Sequence, residues 1–319
     1  MTDGLVELEA QVRDDLHKTA HPNMPWLKPK LGPDGQPALD VLIIGAGQSG
    51  IATGFGLLRS QVSNILVLDK AEAGLEGPWL TYARMPTLRS PKHFTGPDLD
   101  VPSLTYQSWH EAKFGKAHWE QLDRIPRGHW ADYLLWVRRV AGVPVRNGCE
   151  LLDIAPAEGG LLAAIVQSAA GTETLYARKI VLATGQEGMG DWIKPEALRH
   201  LPSSLCVTGN EPVDFAALRG KRVVVIGAGA SAFDNAATAL LHNSGEQSIF
   251  GRRDVQHFAA VAHGDACNAP HPQQVLRPFA ARNAVELLPM GLSEFGLVPG
   301  LVGQARHVQV GPGEMLRAA

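Results

Sequence analysis

A chain of 319 residues, 45% of them hydrophobic and with a formal net charge of −3, can bury a large core, and its length fits two domains of ordinary size. The near-neutral balance and the lack of long Lys or Arg runs argue against a broad footprint on nucleic acid or an anionic membrane, which leaves small-molecule chemistry as the starting expectation. The opening MTDGLVELEAQVRDD is acidic where a secretory leader would be basic and then apolar, and no apolar run approaches bilayer length, so elimination points to the cytoplasm.

Leu5, Leu8, Val12 and Leu16 recur at helical spacing and predict an amphipathic helix docked on the protein's own surface. With the Pro- and Gly-rich stretch 21–38 it forms an N-terminal helix and linker, residues 1–38. From Asp40 the chain reads as apolar strand, glycine turn, small-residue helix and a second strand at 64–70, a βαβ unit. Residues 71–130, with prolines at 78, 86, 91, 97, 102 and 126, predict an irregular excursion. Trp79, Trp109, Trp119, Trp130 and Trp136 fall in or just after it, and a ligand wall and a packed core are equally good uses for them. Asp132–Val140 predicts a helix, and short strands are expected near 143–154, 161–168 and 174–183, the last ending in KIVLATG. A second βαβ unit opens with KRVVVIG at 221–227 and closes with the strand QSIFGRR at 247–253.

The fold class expected is α/β with two Rossmann-like dinucleotide-binding domains, 39–203 and 204–265. The tail, 266–319, is atypical, with no evident return of the chain to the first domain.

In GAGQSG, Gly45 permits the tight turn, Gly47 lets the backbone approach a diphosphate, and Gly50 lets the helix pack on the strand. Gln48 and Ser49 open that helix, whose N-terminus would face the phosphates. Asp69, at the end of the second strand and followed by Lys70, is placed to hydrogen-bond a ribose hydroxyl; the plainer reading is a glycine turn of another α/β fold with a solvated Asp69. The second motif, GAGASA, has Gly227, Gly229 and Ser231, with Ala232 in place of the last glycine. Arg252 and Arg253 end its second strand, where a guanidinium can pair with a 2′-phosphate, favouring NADP over NAD unless they are simply solvated. Ala183, Thr184 and Gly185 supply small residues between the two motifs. Arg84, Arg89 and Lys92 in the excursion read either as cofactor neighbours or as solvated loop cations. Cys149, Cys206 and Cys267 suit neither a disulfide framework nor a CxxC pair, no His or Cys cluster suggests a metal, and Ser231 lacks a GxSxG context.

Taken together, GAGQSG, Asp69, the GPW at Gly77–Trp79, the ATG and GAGASAFD at 227–234 resemble the two-dinucleotide-domain flavoproteins, most nearly the flavin-containing and Baeyer-Villiger monooxygenases. The resemblance covers residues 40 to about 255. It implies FAD on the first unit, held by Gly45, Gly47, Gln48, Ser49, Gly50, Asp69, Lys70, Trp79, Thr184 and Gly185. On the second it implies NADPH, held by Gly227, Gly229, Ser231, Ala232, Arg252 and Arg253. NADPH would pass hydride to FAD, and reduced FAD would activate dioxygen to a hydroperoxide that oxygenates a small substrate. No catalytic side chain is singled out, since in such enzymes the cofactor carries the reaction. The chain departs from the pattern at Val207 and Val213, where Phe and His are expected, at EGPW in place of GGTW, and in residues 255–319, where no returning strand is found. A flavin reductase or dehydrogenase without oxygenation, and a non-catalytic NADP-binding protein, are the alternatives.

Overall fold

The computed structural model describes residues 3–185, 188, 190, 192–227 and 229–242, and the backbone of two short strands at 247–250 and 286–289. These residues form two compact units. The first runs to Thr81 and takes in Pro86–Gly190; the second takes in Tyr82–Met85 and the residues from 192 onward.

In the first unit, helix α1 (Asp3–Lys18) buries Leu5, Leu8 and Val12. Strand β1 (Leu39–Ile44) is covered on both faces, as an apolar run of this kind requires, and leads through the glycine turn into α2 (Gln48–Arg59) and β2 (Ile65–Leu68). The two strands are parallel, with Val41 opposite Ile65. Four more strands complete the sheet: β3 (Val145–Arg146), β4 (Glu150–Ala157), β5 (Leu161–Ser168) and β6 (Gly171–Leu182), in the order β3-β2-β1-β6-β5-β4. The long β6 belongs to two arrangements at once. Gly171–Ala177 pairs antiparallel with β5, and Ala177–Leu182 runs parallel to β1. The end of β6 therefore arrives beside the glycine turn.

The excursion is irregular only in its first half, 71–101. It contains α3 (Tyr106–Phe114) and α4 (Lys116–Gln121), and α5 (Arg127–Val140) starts ahead of the expected Asp132. Two of its prolines sit at helix starts, where no intrahelical N–H bond is lost: Pro102 opens a 3-10 turn ahead of α3, and Pro126 precedes α5. Pro126 is the N-cap of α5, while Thr105 caps α3 by accepting from the Ser108 amide. Gly115, at φ +90°, separates α3 from α4. Tyr106, Trp109, Trp119, Trp130, Tyr133 and Trp136 are all at most 5% exposed, so all but Trp79 of the excursion's tryptophans are core. The Tyr133 hydroxyl donates to the Leu104 carbonyl at 2.9 Å. Glu9 on α1 accepts from Arg139 at 2.6 Å and from the Trp136 indole at 3.2 Å, which fixes α1 to α5; the Arg139 hydrogen bond holds its carboxyl below the usual range.

The second unit holds β7 (Val207–Thr208), β8 (Val223–Ile226), α6 (Ala230–Leu241), β9 (Gln247–Phe250) and β10 (Glu286–Pro289), with sheet order β7-β10-β8-β9. The parallel β8–β9 pair around α6 is the second βαβ unit. Strand β10 was not expected in the tail. It lies antiparallel between β7 and β8 and extends the second sheet, not the first. Its four residues, ELLP, are too few for an alternation to stand out from the surrounding sequence. The fold is α/β with two Rossmann-like units. No helix among the described residues is long and apolar enough to cross a membrane.

Candidate functional site

The first glycine turn is built by close backbone approach. Gly45 has φ +103°, and a Cβ there would lie 2.4 Å from the Ala183 carbonyl oxygen. At Gly50 a Cβ would come within 1.8 Å of the Gly45 carbonyl oxygen. Both positions need glycine for the turn itself. Gly47 differs: a Cβ there would meet nothing nearer than the Gly77 Cα at 3.9 Å, so its glycine leaves space that the protein does not fill. Gly47 is also the N-cap of α2 and supplies no side-chain cap, and the first amide of that helix with an internal partner is Ile51, which donates to the Gly47 carbonyl. The amides of Gln48, Ser49 and Gly50 thus remain for an anion, and the helix dipole adds to their attraction.

Asp69 follows β2 and faces this turn. Its carboxylate accepts from the Ala46 amide at 2.7 Å and from the Ala71 amide at 2.8 Å, one on each oxygen. It therefore anchors the turn to the strand end, and each oxygen retains a lone pair for a ribose hydroxyl. Lys70 beside it is exposed. Thr184 and Gly185 follow β6, whose last hydrogen bond, Ala183 amide to Ile44 carbonyl at 2.7 Å, sets them next to Gly45.

A groove of about 350 Å³, its open mouth included, starts at Ala46 and Gly47 and runs between the loop 74–80 and α5. Trp79 lines it and meets Trp130 edge-on, their ring centroids 6.2 Å apart. Three polar side chains in and behind its wall went unnoticed in the sequence. Glu76, with a side chain only 6% exposed, accepts from Arg138 at 2.7 Å, from Asn147 at 2.7 Å and from the Gly74 amide at 2.8 Å. Arg138 also donates to the Asn147 side-chain oxygen at 3.1 Å. A signal was present: Ala131, Leu134, Leu135 and Arg138 all line the groove at i, i+3, i+4 and i+7, so an arginine ends an otherwise apolar helical stripe.

Two of the excursion's cations, Lys92 and Arg84, have structural partners. Lys92 donates to the carbonyls of Trp119 and Leu122 at 2.7 and 2.6 Å and so closes the C-terminus of α4. Arg84 donates to the Glu211 carbonyl within the second unit, and its guanidinium lies 5.4 Å from the centre of the Phe215 ring.

In the second unit, Gly229 is the N-cap of α6, again without a side-chain cap, and Ala232 is fully buried against β8. A Cβ is thus accommodated at Ala232, whereas at Gly50 of the first turn it is not. Ser231 is exposed on the first turn, its carbonyl accepting from Asn235 at 2.8 Å. Gly227 follows β8 directly. Arg252 and Arg253 lie outside the described residues.

The family described as pyridine nucleotide-disulphide oxidoreductase matches residues 42–260. A relative from Xanthomonas campestris pv. campestris, a FAD-dependent urate hydroxylase, is 47% identical over 295 residues, which is 92% of this chain and 60% of that protein. The chain thus spans about three fifths of the length of this relative. Among solved structures, a double mutant of a flavin monooxygenase from Stenotrophomonas maltophilia matches 67% of this chain and 58% of its own, with 24% identity and a TM-score of 0.52. A cadaverine monooxygenase from Erwinia amylovora, solved with FAD bound, matches 67% of this chain and 51% of its own, with 15% identity and a TM-score of 0.53. At these identities the two structures speak to the fold.

Proposed function

The chain belongs to the pyridine nucleotide-disulphide oxidoreductase family, and from that premise we propose that it is a FAD-dependent, NADPH-using monooxygenase of a small organic substrate. The observation that carries this reading is the empty space over Gly47, beside three helix amides left for an anion and next to Asp69. A dinucleotide diphosphate fits there, and the flanking residues suit the rest of FAD: Asp69 for the ribose, with Lys70 beside it, and Trp79 for an apolar wall that keeps water out. Gly227, Gly229, Ser231 and Ala232, with Arg252 and Arg253, take the corresponding roles toward NADPH. When bound, FAD supplies the redox chemistry, taking hydride from NADPH and passing electrons to dioxygen.

The disulphide chemistry in the family's description is not part of this proposal. It needs two thiols in reach of each other, and no CxxC pair occurs in the sequence. Urate, the substrate in the name of the Xanthomonas relative, is the first candidate to try. A reaction that consumes NADPH suits a cytoplasmic setting.

The test is the visible spectrum of the purified protein after incubation with FAD and removal of the excess, followed by NADPH oxidation with and without urate. Retained flavin bands and urate-dependent incorporation of oxygen are expected. Flavin retention with peroxide as the sole oxygen product would replace the monooxygenase by a reductase or oxidase, and a folded protein that retains no flavin would end the reading.

A further inference from the structure

The Arg138–Glu76–Asn147 network answers a question that the glycine turn leaves open: what meets the charge of a diphosphate on the side of the groove away from α2. Arg138 lines the groove together with Ala46 and Gly47, so it shares the space that the turn leaves unfilled. Its guanidinium is 21% exposed as a side chain and is pinned from two sides, by Glu76 at 2.7 Å and by Asn147 at 3.1 Å. Of the five N–H groups a guanidinium carries, these bonds use two, and the others remain for an oxyanion. A pinned fork loses little side-chain entropy when it binds, the condition under which arginine recognises phosphate well.

Glu76 stands in this network where the GGTW pattern has glycine. Its carboxylate is spent on three donors inside the protein and offers an incoming anion nothing. Asn147 donates as well to the Ala71 carbonyl at 3.1 Å, so the network joins the loop after β2, helix α5 and the turn after β3. The arrangement costs affinity as well as granting it, because the charge of Glu76 offsets that of Arg138.

We propose that Arg138 is a diphosphate-binding residue of the groove, oriented by Glu76 and Asn147, which act as positioning residues. The proposal rests on the dinucleotide reading given above. It separates the two members of the ion pair in sign. Removing the cation weakens binding, whereas removing the acid's charge while keeping its shape frees the guanidinium for the ligand.

The experiment measures the affinities of FAD, ADP and adenosine, at low and moderate salt, for wild type, R138M, R138K and E76Q, alongside the thermal midpoint of each unliganded protein. R138M is expected to lose about tenfold or more in affinity for FAD and ADP, the worth of one charge-assisted hydrogen bond, and little for adenosine. R138K, which keeps the charge and loses the fork, falls between, and it carries the test should R138M fail to fold. E76Q is expected to bind FAD at least as tightly as wild type and with a steeper salt dependence. Equal losses in E76Q and R138M, or an R138M that binds ADP like wild type, would show a scaffold and overturn the proposal. A wild type that binds ADP in an Arg138-dependent way but not FAD would sink the flavin reading and leave this one standing. A wild type that binds neither would end both.

Discussion

One methyl group distinguishes the three glycines of the first turn. At Gly50 it would lie 1.8 Å from a backbone oxygen that cannot move away without opening the turn, whereas at Gly47 it would sit in unfilled space. Gly50→Ala is therefore expected to cost about 3 kcal/mol of stability, as severe overpacking does. Gly47→Ala should leave the unliganded protein within about 0.5 kcal/mol of wild type while weakening FAD by about tenfold, since under the proposed reading the methyl would occupy the path of the diphosphate. Thermal unfolding with and without FAD reads both quantities. A Gly47→Ala protein that binds FAD normally would show that the diphosphate lies elsewhere. The glycines and Asp69 could be read from the sequence because their spacing within a single βαβ unit carries the information. Glu76, Arg138 and Asn147 could not, since Glu76 meets partners 62 and 71 residues away and only the folded chain brings them together.

At the level of elements, the βαβ units were legible from apolar runs followed by glycine, because that pattern is local. The helices of the excursion were not. Pro102 and Pro126 read as breakers until the structure showed them at helix starts, and the apolar periodicity of α3 is weak because its buried face includes His110. That histidine is fully buried, and its Nε2 lies 3.2 Å from His118 Nδ1 on α4. Burial first, then the charges of His118 and of His129 on α5, lower its pKa to about 4; Lys92 pushes the same way and Glu111 opposes. A folded value below the ordinary 6.5 means that unfolding takes up a proton in this window. The contribution of His110 to stability is thus complete above pH 6.5, declines as the pH falls toward 4, and changes no further below that. The urea midpoint measured across this range should fall on acidification in wild type and fall less in His110→Gln, whose side chain stays neutral. An unchanged acid slope in the variant would assign the decline to other groups.

For the molecule as a whole, the two glycine turns belong to different units, each with its own sheet and its own core cluster, and this allows the two ligands to be distinguished by where they act. A ligand that binds the native state slows the local opening of the segments it touches. FAD should accordingly slow amide exchange over residues 45–51, 69–79 and 131–138, which are the turn, the strand end with its loop and the groove face of α5. NADP⁺ should slow it over 227–235, the turn and first half of α6. Peptide-level hydrogen exchange of the full chain, with each ligand alone, makes the comparison. Protection of the first turn by NADP⁺ with none at the second would exchange the cofactor assignments, and it would do so without any appeal to activity. Protection by FAD that reaches the first turn but omits 131–138 would keep FAD on the glycines yet remove α5, and Arg138 with it, from the binding surface.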